Sequence, residues 1–309
     1  MNLLILGGSG FLSGTLARVA ASQGHGVTVV TRGRRPTPAD AKAVAVDRHK
    51  PKAFAKAIVK AARREPDERW DLVVDCICFN ADDARQDLAV FADRARRLVV
   101  ISTDFVFEPS KRQTPQLEEG VYREDESYGG HKRRAERVLE EEAGVLPWFV
   151  LRPGHIYGPG SELGCLPLHS RDPELFDRMR RGEPLRLVDG GRFRQQPVFA
   201  PDLAATILGC HDRGAMGNGV FNVAGPDTVE SRLYYRYIAD ALDLECHVEA
   251  EPVDAYLQAH PEQEQFCVDR VLALGKLRGS KLPAPSTSLS EGLRVHVDDR
   301  VARLGGQRG

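Results

Sequence analysis

Short apolar runs and longer amphipathic segments alternate along the first half of this chain, and that alternation restricts the fold more than any other feature. The runs are Leu3 to Leu6, Val27 to Val30, Val44 to Val46, Leu72 to Asp75, Leu98 to Ile101 and Trp148 to Leu151. Between them lie stretches with helical spacing, such as Phe11 to Ser22, Lys52 to Arg64, Ala84 to Ala95 and Gly129 to Glu142. Near-continuous apolar strands belong to a sheet covered on both faces, and a helical crossover after each keeps its neighbours parallel. The pattern predicts an α/β protein on a doubly wound parallel sheet.

After Tyr157 the pattern breaks at Gly158, Pro159, Gly160 and Pro167, and irregular, arginine-rich sequence follows. Pro197 to Leu208 and Gly219 to Val223 read as a late return to the sheet. The expected division is a Rossmann-type dinucleotide-binding domain over 1–157, with its sheet return at about 195–227. A smaller, discontinuous C-terminal substrate lobe takes 158–194 and 228–309 and ends in a polar tail. At 309 residues and 42% hydrophobic, the chain can bury a core of that size.

A formal net charge of -1 provides no overall field for nucleic acid or an anionic membrane. The N-terminal apolar run is too short to span a bilayer and follows no basic leader, so a cytoplasmic protein is expected. The six cysteines show no C-x-x-C spacing and read as reduced thiols. Cys76 and Cys78 read as alternate residues of a strand packed in the core, and no metal site is expected.

Leu6 runs into Gly7-Gly8-Ser9-Gly10-Phe11-Leu12-Ser13-Gly14. A glycine turn between strand and helix brings backbone close to a pyrophosphate while the helix N-terminus offers free N–H groups. The second run ends at Thr31-Arg32-Gly33-Arg34-Arg35, where binders of unphosphorylated NAD place an acidic residue. A guanidinium there suits a 2′-phosphate, so Arg32, with Arg34, favours NADP over NAD. Asp47, after the third run, can accept a hydrogen bond from an adenine amino group.

Tyr128 and Lys132 are four residues apart and share one helical face. An ammonium beside a phenol stabilises the phenolate and lowers its pKa, which makes Tyr128 a general acid or base. Ser102 and Thr103 end the fifth run at the carboxyl edge of the sheet, where a hydroxyl can hold the reacting oxygen, and Thr103 is the preferred candidate. Asp104 either supports proton transfer or caps local backbone.

These segments, with Leu151-Arg152-Pro153-Gly154-His155-Ile156-Tyr157-Gly158-Pro159-Gly160, resemble the extended short-chain dehydrogenase/reductase family, also called the NAD-dependent epimerase/dehydratase family. The resemblance implies Thr103 and Tyr128 at the reacting oxygen, Lys132 on the nicotinamide ribose, and Gly7, Ser9, Gly10, Phe11 and Leu12 around the pyrophosphate. It also implies a homodimer. Two departures stand out. Ser13 replaces the third turn glycine, which should loosen helix packing, and Phe105 stands where the family's dehydratases carry a proton-abstracting glutamate. Arg192 and Arg194 lie where the family brings an arginine to a nucleotide diphosphate, and His155 reads as structural.

The leading expectation is an NADP- or NAD-dependent oxidoreductase or epimerase acting on a nucleotide sugar or related carbonyl or polyol. The alternative is a non-catalytic dinucleotide-sensing or RNA-binding protein, with Arg133, Arg134, Arg137, Arg178, Arg180 and Arg181 forming a basic face. The near-zero net charge argues against the RNA reading.

Overall fold

The computed structural model describes residues 1–62, 69–211 and 217–305. The elements of the first half are β1 (Asn2–Leu6), α1 (Phe11–Ser22), β2 (Gly26–Thr31), β3 (Lys42–Ala45), α2 (Pro51–Ala61), β4 (Leu72–Asp75), α3 (Ala81–Phe91), β5 (Leu98–Ile101), α4 (Tyr128–Glu142) and β6 (Trp148–Pro153). Then follow β7 (Ile156–Tyr157), α5 (Leu175–Arg180), β8 (Leu185–Val188), β9 (Arg194–Gln195), β10 (Val198–Phe199), α6 (Ala200–Leu208) and β11 (Gly219–Val223). The chain continues through β12 (Val229–Glu230), α7 (Ser231–Ala241), β13 (Val248–Glu251), α8 (Val253–Ala259), α9 (Gly275–Gly279) and α10 (Leu289–Gly305). The expected end of the second helix at Arg64 and the last tail residues lie outside the described residues.

Seven parallel strands form the central sheet in the order β11-β6-β5-β4-β1-β2-β3. Successive side chains of β1 point to opposite faces. Leu3 and Ile5 join a core with Leu16 and Ala20 of α1 and Leu203 and Ile207 of α6. Leu4 and Leu6 meet Phe54 and Ile58 of α2, Phe91 of α3 and Leu139 of α4 on the other side. Each such side chain, fully buried, contributes about 1.5–3 kcal/mol.

Two sequence expectations need correction. Of the stretch from Pro197 to Leu208, only Val198 and Phe199 are extended, and they pair with β7 in a separate ribbon. Ala200–Leu208 is helix α6, started by Pro201 and Asp202 in its first turn; only β11 enters the sheet, beside β6. β4 ends at Asp75, so Cys76 and Cys78 sit in the following loop rather than in a strand. All six cysteines are free.

A third core gathers Tyr157, Leu187, Tyr234, Tyr235 and Leu293. It is flanked by short ribbons, β8 with β13 and β9 with β12. Strand order reverses at β1, between β2 and β4, so the crevice for a ligand opens at the carboxyl ends of β1 and β4. No helix among the described residues is long and apolar enough to cross a membrane.

Candidate functional site

At that crevice β1 ends in a turn that only glycine can make: Gly7 has φ 119° and Gly8 φ 73°. A Cβ on Gly8 would fall 2.5 Å from Val29 Cβ, so the backbone sits where a side chain has no room. Gly10 caps α1 and donates its N–H to Ser13 Oγ at 3.2 Å. The serine in place of a third glycine is therefore accommodated: it is buried, and its hydroxyl satisfies the cap. The N–H groups of Phe11 and Leu12 in the first turn have no intrahelical acceptor and carry the positive end of the helix dipole.

The turn borders a cavity of about 650 Å³, within the usual range of about 300–1,000 Å³ for ligand pockets. Gly7, Ser9, Gly10, Phe11, Leu12, Arg32, Asp47, Tyr128 and Lys132 all line it, so every residue expected at the cofactor reaches one space. A glycine cradle closed to side chains, open helix N–H groups and a cavity this large fit a dinucleotide.

Arg32 and Arg34 are exposed on the rim, and neither pairs with a carboxylate among the described residues. Asp47 accepts the His49 N–H at 3.1 Å. The next residue, Arg48, also lines the cavity and escaped the sequence reading. Its buried guanidinium meets Asp75 at 2.5 Å, Asp83 at 3.2 Å and Asp87 at 3.0 Å, and it donates to the Ile77 carbonyl at 3.2 Å. Burial and then Asp75 push the Asp87 carboxyl well above its usual range. Ligand atoms of Asp75, Cys78 and Asp87 lie within 4.8 Å of one another, but the Arg48 guanidinium already pairs with both carboxylates in the place of a metal ion. The available signal was Asp83 and Asp87 on one face of α3, four residues apart.

Tyr128 opens α4, whose cap Ser127 accepts the Gly130 N–H at 3.2 Å. Lys132 lies one turn further, 2% exposed, and donates to the carbonyls of Cys78 at 2.7 Å and Ile101 at 2.8 Å. Burial lowers its pKa. Its Nζ is 5.8 Å from the centre of the Tyr128 ring. The expected lowering of the phenol is not found: Tyr128 is half-exposed, yet partial desolvation, followed by the Asp104 carboxylate, pushes it up to about 12 against the opposing pull of Arg171. The ammonium is turned toward backbone carbonyls rather than the phenol, which explains the difference.

From the turn after β5 it is Ser102, rather than Thr103, that lines the cavity. Ser102 Oγ is already engaged, donating to buried Glu136 at 2.5 Å. Thr103 Oγ1 accepts the Phe105 N–H at 3.2 Å and donates to no group among the described residues. Asp104 pairs with Arg112 at 2.9 Å. His155 packs edge-on to Tyr234, its ring centre 5.6 Å away, and burial followed by Arg270 and Arg171 holds its pKa well below the usual value. Arg192 faces Asp189 at 3.1 Å and Arg194 grips Asp269 at 2.6 Å, so both of these candidate phosphate ligands carry a carboxylate.

The six arginines of the alternative reading are likewise paired: Arg133 with Glu140, Arg134 with Glu126, Arg137 with Glu141, Arg178 with Asp172, Arg180 with Asp177 and Arg181 with Glu183. That neutralises much of the basic face an RNA contact requires.

The chain is 27% identical over 218 residues to the 2'-dehydrokanamycin reductase of Streptomyces kanamyceticus, a match covering 67% of this chain and 57% of that protein. It is 26% identical over 237 residues to the chloroplast stem-loop binding protein of 41 kDa b of Arabidopsis thaliana, covering 72% and 58%. The chain thus spans somewhat over half the length of either relative. In shape it is similar to a UDP-glucose 4-epimerase from Thermotoga maritima solved with UDP-glucose, at TM-score 0.78 and 19% identity, covering 98% of this chain and all of that one. A structure of MoeE5 with UDP-glucuronic acid and NAD superposes at TM-score 0.76 and 17% identity, over 98% of this chain and 100% of the other. At these identities the likeness shows a shared fold. The profile of the NAD dependent epimerase/dehydratase family matches residues 3–224, which takes in β1, the glycine turn, Tyr128, Lys132 and β11, and the chain belongs to that family.

Proposed function

We propose that the chain is an NADP- or NAD-dependent reductase or epimerase acting on a nucleotide sugar or a related carbonyl or polyol. The observation that carries this reading is one cavity lined by the glycine turn, Tyr128 and Lys132 together. A nicotinamide held by the glycine turn and Lys132 would supply or take the hydride.

Tyr128 moves the proton. A phenol at about 12 is protonated at neutral pH, so in carbonyl reduction it is the donor to the oxygen as that oxygen gains charge. Two reductases among the relatives favour the reducing direction, the second a dTDP-4-keto-6-deoxy-D-glucose reductase from Streptomyces niveus. Lys132 spends two of its three N–H donors on Cys78 and Ile101, which fixes the ammonium and leaves one donor for a ribose hydroxyl. Ser102 lines the cavity with its hydroxyl spent on Glu136, and Thr103 lies outside the lining, so the reacting oxygen is assigned to Tyr128 alone. Phe105 cannot take up a proton, so dehydration is disfavoured. Arg32 and Arg34, without carboxylate partners among the described residues, favour NADP.

Tyr128→Phe tests the reading. Turnover should fall by about 100-fold or more, the lower end of what a positioned acid or base contributes, while cofactor affinity stays unchanged. Unaltered turnover would remove Tyr128 from the mechanism. For the cofactor, titration with NADPH and NADH should show at least a tenfold preference, about 1.4 kcal/mol, that Arg32→Ala abolishes. Equal affinities would return the assignment to NAD.

A further inference from the structure

Two aromatic rings stand open in the cavity at the end where Lys132 lies. Of the large apolar and aromatic side chains that border it, Phe79 at 46% and Tyr128 at 49% are the exposed ones among the described residues. The Lys132 ammonium is near both: Nζ lies 5.1 Å from the centre of the Phe79 ring and 5.8 Å from that of Tyr128. Tyr128 has the proton-transfer role argued above. Phe79 has none, and it joins neither of the cores that flank the sheet. A single exposed phenyl ring is ordinary on an outer surface. This one lines a cavity beside a buried ammonium that has one N–H donor still unspent.

The backbone that carries the ring is fixed. β4 stops at Asp75, whose carboxylate accepts the Ile77 N–H at 2.6 Å, and Asp83 accepts the Phe79 N–H at 2.9 Å. Between those two bonds Cys78 offers its carbonyl to Lys132 at 2.7 Å. Asn80 then caps α3 by accepting the Asp83 N–H at 3.0 Å. Phe79 thus stands between a lysine-bound peptide and a helix cap. Its position is set before any ligand arrives, and little backbone freedom is left to lose on binding.

We propose that Phe79 is a cofactor-binding residue whose ring packs on the nicotinamide riboside end of the dinucleotide, beside the hydroxyl that Lys132 receives. The inference rests on the function proposed above. A ribose hydroxyl hydrogen-bonded to Nζ brings the carbons of its sugar close to a ring centred 5.1 Å from the same nitrogen. The lysine supplies direction there, and the phenyl supplies the apolar contact that an ammonium cannot. The adenine half of the same molecule, at the Arg32 and Asp47 end, gains nothing from this ring.

Each dinucleotide set against its own adenine half isolates that contact. Calorimetry of the full chain with NADPH and 2′,5′-ADP, and with NADH and ADP, gives both pairs, and the pair with the tighter dinucleotide is followed. Phe79→Ala should weaken the dinucleotide by about tenfold, or about 1.4 kcal/mol, and leave the adenine half unchanged. That margin is of the size expected when the exposed half of a phenyl ring is covered. Phe79→Tyr, which keeps the ring, should hold the dinucleotide within about threefold of the unaltered chain. An unchanged dinucleotide affinity in Phe79→Ala would overturn this inference and leave the proposed function standing. Equal losses for the dinucleotide and its adenine half would overturn it too, because the ring would then be supporting the loop rather than touching the ligand. An unaltered chain that binds neither dinucleotide would remove the proposed function and this inference together.

Discussion

The glycine turn after β1 and, through Arg171, the segment 158–174 border the same cavity from two sides that hold their shape differently. The first is an extension of parallel strands, and its position is shared among the backbone hydrogen bonds of seven of them. The second has no strand of its own. His296 accepts the Gly158 N–H at 3.2 Å and bonds the Ser161 carbonyl at 3.0 Å, while the Tyr235 hydroxyl accepts the N–H groups of Cys165 at 3.1 Å and Leu166 at 2.8 Å. One wall spreads its definition over many bonds, and the other concentrates it in a few side chains.

The largest expected effect would break that comparison. Glu136 sits on the sheet side, fully buried, bonded to Arg152 at 2.6 Å and to Ser102 at 2.5 Å. Glu136→Ala leaves the Arg152 guanidinium buried without its counter-charge and should cost about 3–5 kcal/mol in urea unfolding. A loss under 1 kcal/mol would mean that even this charged joint is backed by the strands around it.

A smaller effect sharpens the contrast on the lobe side. Burial pushes His296 down to about 4, below its unfolded value near 6.5. Above pH 6.5 both states are neutral and the contribution is complete. As pH falls from 6.5 to 4 the unfolded chain takes the proton first, so stability should drop by up to about 3 kcal/mol and then level off. Urea midpoints across that range, compared with His296→Gln, should show this part of the slope only in the unaltered chain. Tyr235→Phe should cost least, about 1–3 kcal/mol, by leaving two buried N–H groups without an acceptor. Urea unfolding of that variant at neutral pH checks the figure, and a loss near zero would show that the segment is held some other way.

The same contrast decides what could be read from the chain alone. β4, β5 and α1 appear at their expected bounds because apolar periodicity is a local signal. The glycine turn between strand and helix, and Tyr128 and Lys132 on one helix, were legible for the same reason: each placement is set by spacings of a few residues. Arg48 was not, since Asp75 and Asp87 lie 27 and 39 positions away and meet it only when the sheet is assembled. Nor was the displacement of Lys132 from the phenol toward the Cys78 and Ile101 carbonyls, which depends on where two loop ends stop.

The loop after β4 has one further consequence. Arg48 holds the Ile77 carbonyl at 3.2 Å from the Asp47 end of the cleft, and Lys132 holds the adjacent Cys78 carbonyl at 2.7 Å from the Tyr128 end. Two consecutive peptide units thus act as a crossbar between the ends of the cleft, clamped by a different cation on each side. Redesign of the Asp47 rim to accept another nucleotide would therefore be transmitted to the lysine through a rigid link about one residue long, and the two ends must be engineered as one part.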